Sequence, residues 1–278
     1  MSFKINTNIG SLYSNYQLKK NQADLSQSLH KLSTGRRINK ASDDAAGMVI
    51  ANKLASQADG YAQAIKNAND AISITQIADG ALGQATELIQ GIRVKAIQAA
   101  GIAQSPQSRQ AIQAEISQSL ATLKDISQNT AFNGQKLLSG TFVDKSFQVG
   151  TSSGETVTIS IGSIDPSQIS DESLGSFADI DVTTAEGAQN AIALADTALE
   201  YISQERARVG SSQNQLESTI NNLSNARINT LAAESEIRDL DFAEETTNLN
   251  RIKMLAKARA FAQNQANASA GRIVDILE

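Results

Sequence analysis

The feature that most constrains this chain is a long run of apolar residues whose spacings alternate between three and four. The run extends from residue 61 to residue 99 without a break. The mean spacing is the heptad step of a coiled coil, so the pattern predicts a helix of about 60 Å that packs against a partner helix. This first seam consists of Tyr61, Ala64, Ala68, Ala71, Thr75, Ala78, Leu82, Ala85, Ile89, Ile92, Ala96 and Ala99.

A second seam with the same spacing lies in the C-terminal half and is the natural partner of the first. Its polar members, Arg206 and Gln213, weaken a coiled coil but can fix its register. Together the seams predict a mainly α fold, a long antiparallel helical coiled-coil bundle. The second seam consists of Ala188, Ile192, Ala195, Leu199, Ile202, Arg206, Val209, Gln213, Leu216, Ile220 and Leu223.

Between these helices the apolar period changes from three and a half to two. Val157, Ile159 and Ile161 alternate with polar residues after a glycine-bounded turn at 150–154. This alternation predicts a small β-hairpin within a region of about 140–184. The part from 162 to 184 is rich in Ser, Asp and Gly, and we expect it to be exposed irregular structure.

The composition excludes several classes of function. The chain has no cysteine, which rules out disulfide bonds, thiolate catalysis and cysteine-bound zinc. Its 29 acidic and 24 basic residues are mixed along the chain, so no nucleic acid is expected as a partner. No apolar run is long enough to predict membrane insertion. The first five residues lack the features of a secretory signal, so any export is expected to use another route.

No pattern predicts a catalytic, cofactor or metal site. The acidic residues of 234–245 lack the glycine of a calcium loop, and a solvated helix start is the preferred interpretation. Asp43 and Asp44, with His30 nearby in sequence, lack a nucleophile, so we interpret them as helix-capping residues. The stretch Ser33-Thr-Gly35-Arg36 has neither the spacing nor the lysine of a phosphate-binding loop.

Both ends of the chain are amphipathic, and their apolar faces are predicted to contact other copies of the chain. Neither end is expected to hold its helix alone, because helix stability comes mainly from packing. The hypothesis is that contact with sister molecules completes both ends. The predicted subunit-interface residues are Ile5, Leu12, Tyr16, Leu25, Leu29, Leu32, Leu249, Ile252, Leu255, Phe261, Ile273, Ile276 and Leu277.

Two blocks of motifs resemble the N-terminal and C-terminal signatures of bacterial flagellin. The resemblance covers about the first 140 and the last 95 residues, in the family's order. The N-terminal motifs are Ile5-Asn-Thr-Asn8, Leu29-His-Lys-Leu-Ser-Thr-Gly35-Arg-Arg-Ile-Asn39 and Asp43-Asp-Ala-Ala-Gly47. The C-terminal motifs are Gln213-Asn-Gln-Leu-Glu-Ser-Thr-Ile-Asn-Asn-Leu223, Ile237-Arg-Asp-Leu-Asp-Phe-Ala-Glu244 and Ile273-Val-Asp-Ile-Leu-Glu278.

This resemblance implies an architecture. Residues 1–44 and 235–278 would form a discontinuous inner-tube domain in which the terminal helices pair as a coiled coil. Residues 45–234 would form the outer-tube helical bundle. The connector between the tubes would contain Arg36, Arg37, Asp43 and Asp44, with the arginines paired to acids of this or a neighbouring subunit. The region 150–184 is too short for the large variable domains of many flagellins, so the chain resembles a near-minimal form.

The resemblance also implies a function and its partners. The chain would be a structural subunit, not an enzyme, that polymerises with itself into the filament for swimming. It would leave the cell through the flagellar export apparatus and be held by a flagellar chaperone. Filament cap and hook-junction proteins would contact it at the ends of the filament. Its location would be the extracellular flagellum.

One stretch departs from the pattern of flagellins that a Toll-like innate receptor recognises. Gly91, Val94 and Lys95 stand where those flagellins carry an Arg, a Glu and a Leu, whereas Arg93 and Glu115 match. Losing a bidentate donor and an apolar anchor weakens an interface hot spot, so weak or no recognition is expected.

Two other functions fit the same patterns. A hook-filament junction protein of the same family would cap a structure rather than form its bulk. A secreted adhesin module would use the coiled coil as a stalk. Abundance in sheared filaments distinguishes the first from a filament subunit, and tubular polymers under the electron microscope distinguish the second.

Overall fold

The structure, a computed structural model, describes residues 7–171 and 174–275, with side chains through residue 269. The mainly α architecture predicted from the seams is confirmed. The helices are α1 (Ile9–Thr34), α2 (Ala45–Ala100), α3 (Pro106–Asn129), α4 (Ala185–Arg238) and α5 (Phe242–Asp275). Three antiparallel two-stranded sheets pair β1 (Ala131–Phe132) with β2 (Gln135–Lys136), β3 (Lys145–Gln148) with β4 (Thr156–Ile159), and β5 (Ser170–Asp171) with β6 (Gly175–Ser176).

The chain divides into two compact units. The terminal unit contains residues 1–57 and 228–278, and the central unit contains residues 58–227. Because the division falls within α2 and α4, each of these helices contributes residues to both units. The two units differ in the kind of interaction that stabilises each of them.

The first seam forms the core of the central unit. Each of its positions after Tyr61 is buried, and Leu82, Ile89 and Ile92 have no exposed surface. Alanine at seven of the twelve positions leaves little bulk between neighbouring backbones, which suits closely packed helices. Helix α2 begins well before the predicted start, at Ala45, so at 56 residues it is about 84 Å long.

Two capping arrangements set the boundary between α2 and α3. The guanidinium of Arg109 donates to the carbonyl oxygens of Ala99 (2.9 Å) and Gly101 (3.4 Å), which lie at the open end of α2. Helix α3 begins with Pro106 directly after Ser105, whose hydroxyl accepts a hydrogen bond from the amide of Ser108.

The second seam is confirmed in α4 at most of its apolar positions, but the prediction for Arg206 is wrong. Arg206 is exposed and forms an ion pair with Asp79 at 2.9 Å. Glu205 occupies the buried position instead, with 3% of its surface exposed. Its carboxylate accepts a hydrogen bond from the amide of Gly162 (3.0 Å) and pairs with Arg208 (3.0 Å), so the buried charge is satisfied.

The predicted hairpin is confirmed as the β3–β4 pair. Phe147 lies opposite Val157 and Lys145 opposite Ile159, which places the alternating apolar side chains of β4 on the core side. The prediction that 162–184 is exposed irregular structure is wrong for its apolar residues. Their spacing is irregular, yet each side chain packs into the core of the central unit. These residues are Ile164, Ile169, Phe177, Ile180 and Val182.

Asn133 and Gly134 lie in a tight turn shortly after α3. Helix α3 ends at Asn129, and the pair forms the turn between β1 and β2 with φ angles of 48° and 79°. Asparagine and glycine are the residues that adopt these left-handed conformations most readily. The turn returns the chain so that Leu137 and Leu138 are fully buried.

Candidate assembly surface

Helices α1 and α5 pack against each other along the terminal unit. The pairing is antiparallel, because residues early in α1 bond to residues late in α5. Four side-chain hydrogen bonds cross the contact. They run from Asn8 to the carbonyl of Ala266 (3.2 Å), from Arg259 to that of Gln17 (2.9 Å), from Asn21 to that of Ile252 (3.1 Å), and from the Ser28 hydroxyl to the Glu245 carboxylate (2.5 Å).

The interior of this contact contains a large polar share. Asn21 and Ser28 are 2% exposed and Glu245 is 9% exposed, beside the buried apolar residues Leu249 and Ile252. Such hydrogen bonds contribute about 0.5–1.5 kcal/mol each, and about 1.5–3 kcal/mol where one group is charged. These hydrogen bonds therefore fix the register of the two helices. The burial of apolar surface contributes less to this contact than to the core of the central unit.

Large apolar side chains cover the outer faces of the same two helices. Tyr13 and Tyr16 are each 65% exposed on α1, and Phe261 is 72% exposed on α5. Burying such a side chain contributes about 1.5–3 kcal/mol relative to leaving it in water. Among the described side chains, the exposed large apolar residues of these two helices are Ile9, Leu12, Tyr13, Tyr16, Leu29, Phe242, Met254, Leu255 and Phe261, and we call this set the terminal stripe.

The structure divides the predicted interface residues into three groups. Exposed members, which belong to the terminal stripe, are Leu12, Tyr16, Leu29, Leu255 and Phe261. Members buried or half-buried within the chain are Leu25, Leu32, Leu249 and Ile252. Ile5, Ile276 and Leu277 lie outside the described residues, and Ile273 lies in α5 with a side chain outside them.

Sequence reasoning missed two kinds of residue here. Tyr13 and Met254 belong to the terminal stripe but fall beside the apolar periodicity that was used to find it. Asn21, Ser28 and Glu245 are buried although polar residues of these types ordinarily face water. No signal in a single sequence distinguishes a buried polar residue from a solvated one, because the partner lies on a helix more than 200 positions away.

The loop between α1 and α2 is held by its two aspartates. Asp43 accepts hydrogen bonds from the amides of Lys40 and Asn39, both 3.0 Å long, and from the side chain of Gln27. The bonds from Lys40 and then Asn39 lower the pKa of the Asp43 carboxyl. Asp44 accepts from the amide of Gly47 (2.9 Å) at the start of α2, the geometry of a helix cap.

The two arginines of the predicted connector lie beside the turn between α4 and α5. The backbone of Arg36 bridges that of Asp239, and the Arg37 guanidinium donates to the carbonyl of Ile237 at 2.6 Å. The amide of Arg37 also donates to the carbonyl of Arg238. In the described part of the chain, neither arginine forms an ion pair, so their pairing with acids of another subunit stays a prediction.

Four of the six acidic residues of 234–245 have separate structural partners, among them Glu245, which is bound by Ser28. Glu234 pairs with Arg238, and Asp239 accepts from the hydroxyl of Ser235. Asp241 accepts from the amides of Ala243 and Glu244 at the start of α5. Across residues 7–171 and 174–275, no group of three or more His, Cys, Asp or Glu side chains has the arrangement of a metal site.

The predicted receptor region lies in the central unit, and its charged residues form ion pairs within the chain. Arg93 pairs with Asp196 at 2.6 Å, and the hydrogen bond and charge of Asp196 raise the pKa of Arg93. Lys95 pairs with Glu115 at 2.9 Å. Val94 is 63% exposed. A side chain at Gly91 would meet nothing within 4 Å, so this face of α2 is open.

No described helix combines the length and the apolar character that a membrane span requires. Comparison with known proteins identifies the fold of both ends. The model of the bacterial flagellin N-terminal helical region matches residues 5–143, and that of the C-terminal helical region matches residues 192–277. The chain belongs to the bacterial flagellin family. The stretch between the two matches contains the β3–β4 hairpin and the segment that follows it.

Individual flagellins agree with this assignment. A flagellin of Halalkalibacterium halodurans is 36% identical over 98% of this chain and 99% of its own. Polar flagellin C of Vibrio parahaemolyticus is 30% identical, with complete coverage of both chains. Flagellin B of Helicobacter pylori is 46% identical over 68% of this chain but only 37% of its own. The family consists of structural filament proteins, so the chain is a flagellar filament subunit.

Proposed function

We propose that this flagellin polymerises through the terminal stripe, which neighbouring copies cover in the filament. The observation that carries the proposal is the exposure of nine large apolar side chains, among the described residues, on two helices that already pack against each other. Exposed apolar surface larger than that of an ordinary monomer marks a contact surface. The mechanical role of the chain follows from this packing, because packed subunits transmit the rotation of a motor along the filament.

The two compact units support an assignment to two tubes. The pair of terminal helices, with predicted boundaries at 1–44 and 235–278, would line the inner tube. The outer tube would contain 45–234, including the hairpin region of about 140–184. The connector residues Arg36, Arg37, Asp43 and Asp44 would join the tubes. The central unit has a closed apolar core of its own, which suits a wall element that keeps its shape during assembly.

Truncation of the last helix tests the proposal most simply. A chain that ends before Ala243 loses nearly all of α5 and with it Met254, Leu255 and Phe261 of the terminal stripe, so we expect it to fold its central unit but form no filament. Seeded polymerisation followed by electron microscopy measures the outcome. Ordinary tubes from the truncated chain would refute the proposal.

The terminal helices are proposed to gain most of their stability on assembly. Their contact buries Asn21, Ser28 and Glu245 beside Leu249 and Ile252, and several larger apolar side chains stay exposed, so the isolated pair gains less from burial than the central unit does. Amide hydrogen exchange on the dilute chain should show rapid exchange in α1 and α5 and slow exchange in the core of the central unit. Slow exchange throughout both terminal helices at low concentration would contradict this.

Export and partner contacts belong to the same proposal. The chain would pass unfolded through the flagellar export apparatus, with a cytoplasmic chaperone on the C-terminal helix. A cap protein would guide its insertion at the filament tip, and hook-junction proteins would hold the base. A chain without cysteine folds after transport with no redox step, which supports this route. Secretion assays in strains that lack each partner test it.

Weak recognition by the Toll-like receptor is also proposed. Arg93 and Lys95 are each held by an acid within the chain, and Glu115 is held by Lys95, so all three are less free to bind a receptor. A reporter-cell assay should show much lower potency than an ordinary enteric flagellin. The triple change G91R, V94E and K95L should raise the potency, since it restores two charged groups and the apolar anchor. Equal potency of the unaltered chain would reject this.

A further inference from the structure

Charge is distributed unequally between the two units. Residues 1–57 and 228–278 carry 14 Lys and Arg against 11 Asp and Glu, whereas residues 58–227 carry 10 against 18. Eight of the 11 acidic residues of the terminal unit lie in its C-terminal part, and six of those fall within 234–245. The middle of the α1–α5 pair is correspondingly basic.

A polar groove of about 380 Å³ runs along the α1–α5 pair. Four cations line it, Lys20 and Lys31 from α1 and Arg251 and Arg259 from α5. Its only acids are Asp24 and Glu245, and the Glu245 carboxylate is already bound by Ser28 and Asn248. Within the described residues none of the four cations forms an ion pair. We call this the cationic groove.

The groove continues into a second cavity of about 500 Å³ beside the loop between α1 and α2. The two share Gln27 and Lys31, and the second adds Lys40 and His30. Its one acid, Asp43, is bound by backbone amides. A row of unpaired cations with amide and hydroxyl donors between them is suited to bind carboxylates.

The face of α5 that lines the cationic groove has an acidic residue, Glu244, near its N-terminal end. Glu244 precedes Asn248, Arg251 and Leu255 at spacings of four, three and four, so these side chains share one face of α5. Glu244 and Glu236 are exposed, and neither has an ion-pair partner in the described part of the chain. Glu244 lies about 10 Å along the axis from Arg251 and about 22 Å from Arg259.

We propose that the cationic groove of one copy binds Glu236 and Glu244 of a second copy. These two residues flank the turn between α4 and α5, and we call this segment the acidic turn. The charges are complementary, and Glu244 is displaced along α5 from Arg251 and Arg259 of the groove, so a second chain shifted along that axis brings opposite charges together. The contact joins two different patches, and a contact of this kind builds an open polymer rather than a closed dimer. It is continuous with the terminal stripe, since Leu255 belongs to both. This inference rests on the proposed filament function and names a contact within it.

Charge reversal with rescue tests the contact. The groove variant is Lys20→Glu with Arg251→Glu, the turn variant is Glu236→Lys with Glu244→Lys, and the combined variant has all four changes. Seeded polymerisation gives the critical concentration of each, and circular dichroism checks that the monomers keep their helices. We expect each two-residue variant to raise the critical concentration about tenfold or more, because like charges then meet.

The combined variant should polymerise nearly as well as the unaltered chain, because its reversed charges match again. An equimolar mixture of the groove and turn variants should copolymerise for the same reason, which a contact within one chain would not allow. The matched controls are Lys66→Glu with Lys136→Glu, and Glu186→Lys with Glu217→Lys. These exposed residues of the central unit give the same changes in net charge, and both controls should polymerise normally.

The outcomes separate the two proposals. If the unaltered chain forms no filament, the proposed function itself fails. If it does form filaments, two results would overturn the inferred contact: polymerisation of the groove variant at the concentration of the unaltered chain, or failure of the combined variant and the mixture to recover.

Discussion

The central unit and the α1–α5 pair are both made of long helices, yet different forces hold them. The central unit buries a continuous apolar core in which alanine, leucine and isoleucine from α2 and α4 meet side chains of α3 and the strands. The α1–α5 contact buries Asn21, Ser28 and Glu245 and leaves its larger apolar residues outside. One region therefore closes its core within a single chain, whereas the other leaves large apolar side chains exposed.

The largest expected effect on folding comes from emptying the core of the central unit. Leu82→Ala removes a side chain with no exposed surface and leaves a cavity, which costs about 2–5 kcal/mol. Denaturant unfolding of the dilute chain measures the loss. Val94→Ala, on the exposed face of the same helix, is the control and should change the free energy of unfolding by less than about 0.5 kcal/mol. An equal loss of unfolding free energy in both variants would contradict the assignment of Leu82 to the core and Val94 to the surface.

A smaller loss is expected when a polar bond between α1 and α5 is removed. Ser28→Ala deletes the hydroxyl that donates to Glu245, and a buried group left without a partner costs about 1–3 kcal/mol. Asn248 still donates to the same carboxylate, which limits the effect. Amide exchange in α1 and α5 should accelerate while the central unit is unchanged. Ser26→Ala, an exposed neighbour, should leave exchange unaltered, and an effect confined to the central unit would contradict the prediction.

Acid should loosen the loop between α1 and α2 through Asp43. Its pKa is lower when folded than the reference 3.8, so it contributes stability above that value and loses it as the pH falls through the folded pKa. As the pH is lowered from about 5 through 3.8 and below, the free energy of unfolding of the unaltered chain should therefore fall more steeply than that of Asp43→Asn. Identical pH profiles for the two chains would show that Asp43 makes no such contribution.

The smallest effect is expected from the exposed ion pair of the central unit. Arg206 and Asp79 both lie in partly solvated positions, and such pairs contribute about 0–1 kcal/mol. Arg206→Gln should lower the free energy of unfolding within that range, and added salt should reduce the difference further. A loss as large as that of Leu82→Ala would mean that Arg206 belongs to the core after all.

The sequence predicted the parts of the fold that repeat. Heptad spacing identified the buried positions of α2, since one helix face meets the core along its whole length. In α4 the same spacing placed Arg206 in the seam, but Glu205 is the buried residue. Its carboxylate accepts a hydrogen bond from the amide of Gly162, which is 43 positions away, and spacing along one helix does not indicate such a contact. The segment 162–184 was misjudged because its apolar residues follow no period, although they are buried.

The candidate surface was predicted less completely than the core. Apolar periodicity identified both terminal helices, but it did not separate the face that packs within the chain from the face that stays open. Leu249 and Leu255 have the same character in sequence, and only the antiparallel register of α1 and α5 buries one and exposes the other. That register depends on polar bonds between the ends of the chain, which composition does not indicate.

The central claim is that the terminal stripe is used between copies of the chain and not within one. The most direct test is the variant Leu12→Ser with Phe261→Ser, whose residues are 63% and 72% exposed. Its monomer should unfold within about 0.5 kcal/mol of the unaltered chain, while its critical concentration for polymerisation rises about tenfold or more. Ile102→Ser, fully exposed in the central unit, is the control for a lost surface side chain. Filament growth by the double variant at the unaltered critical concentration would contradict the account.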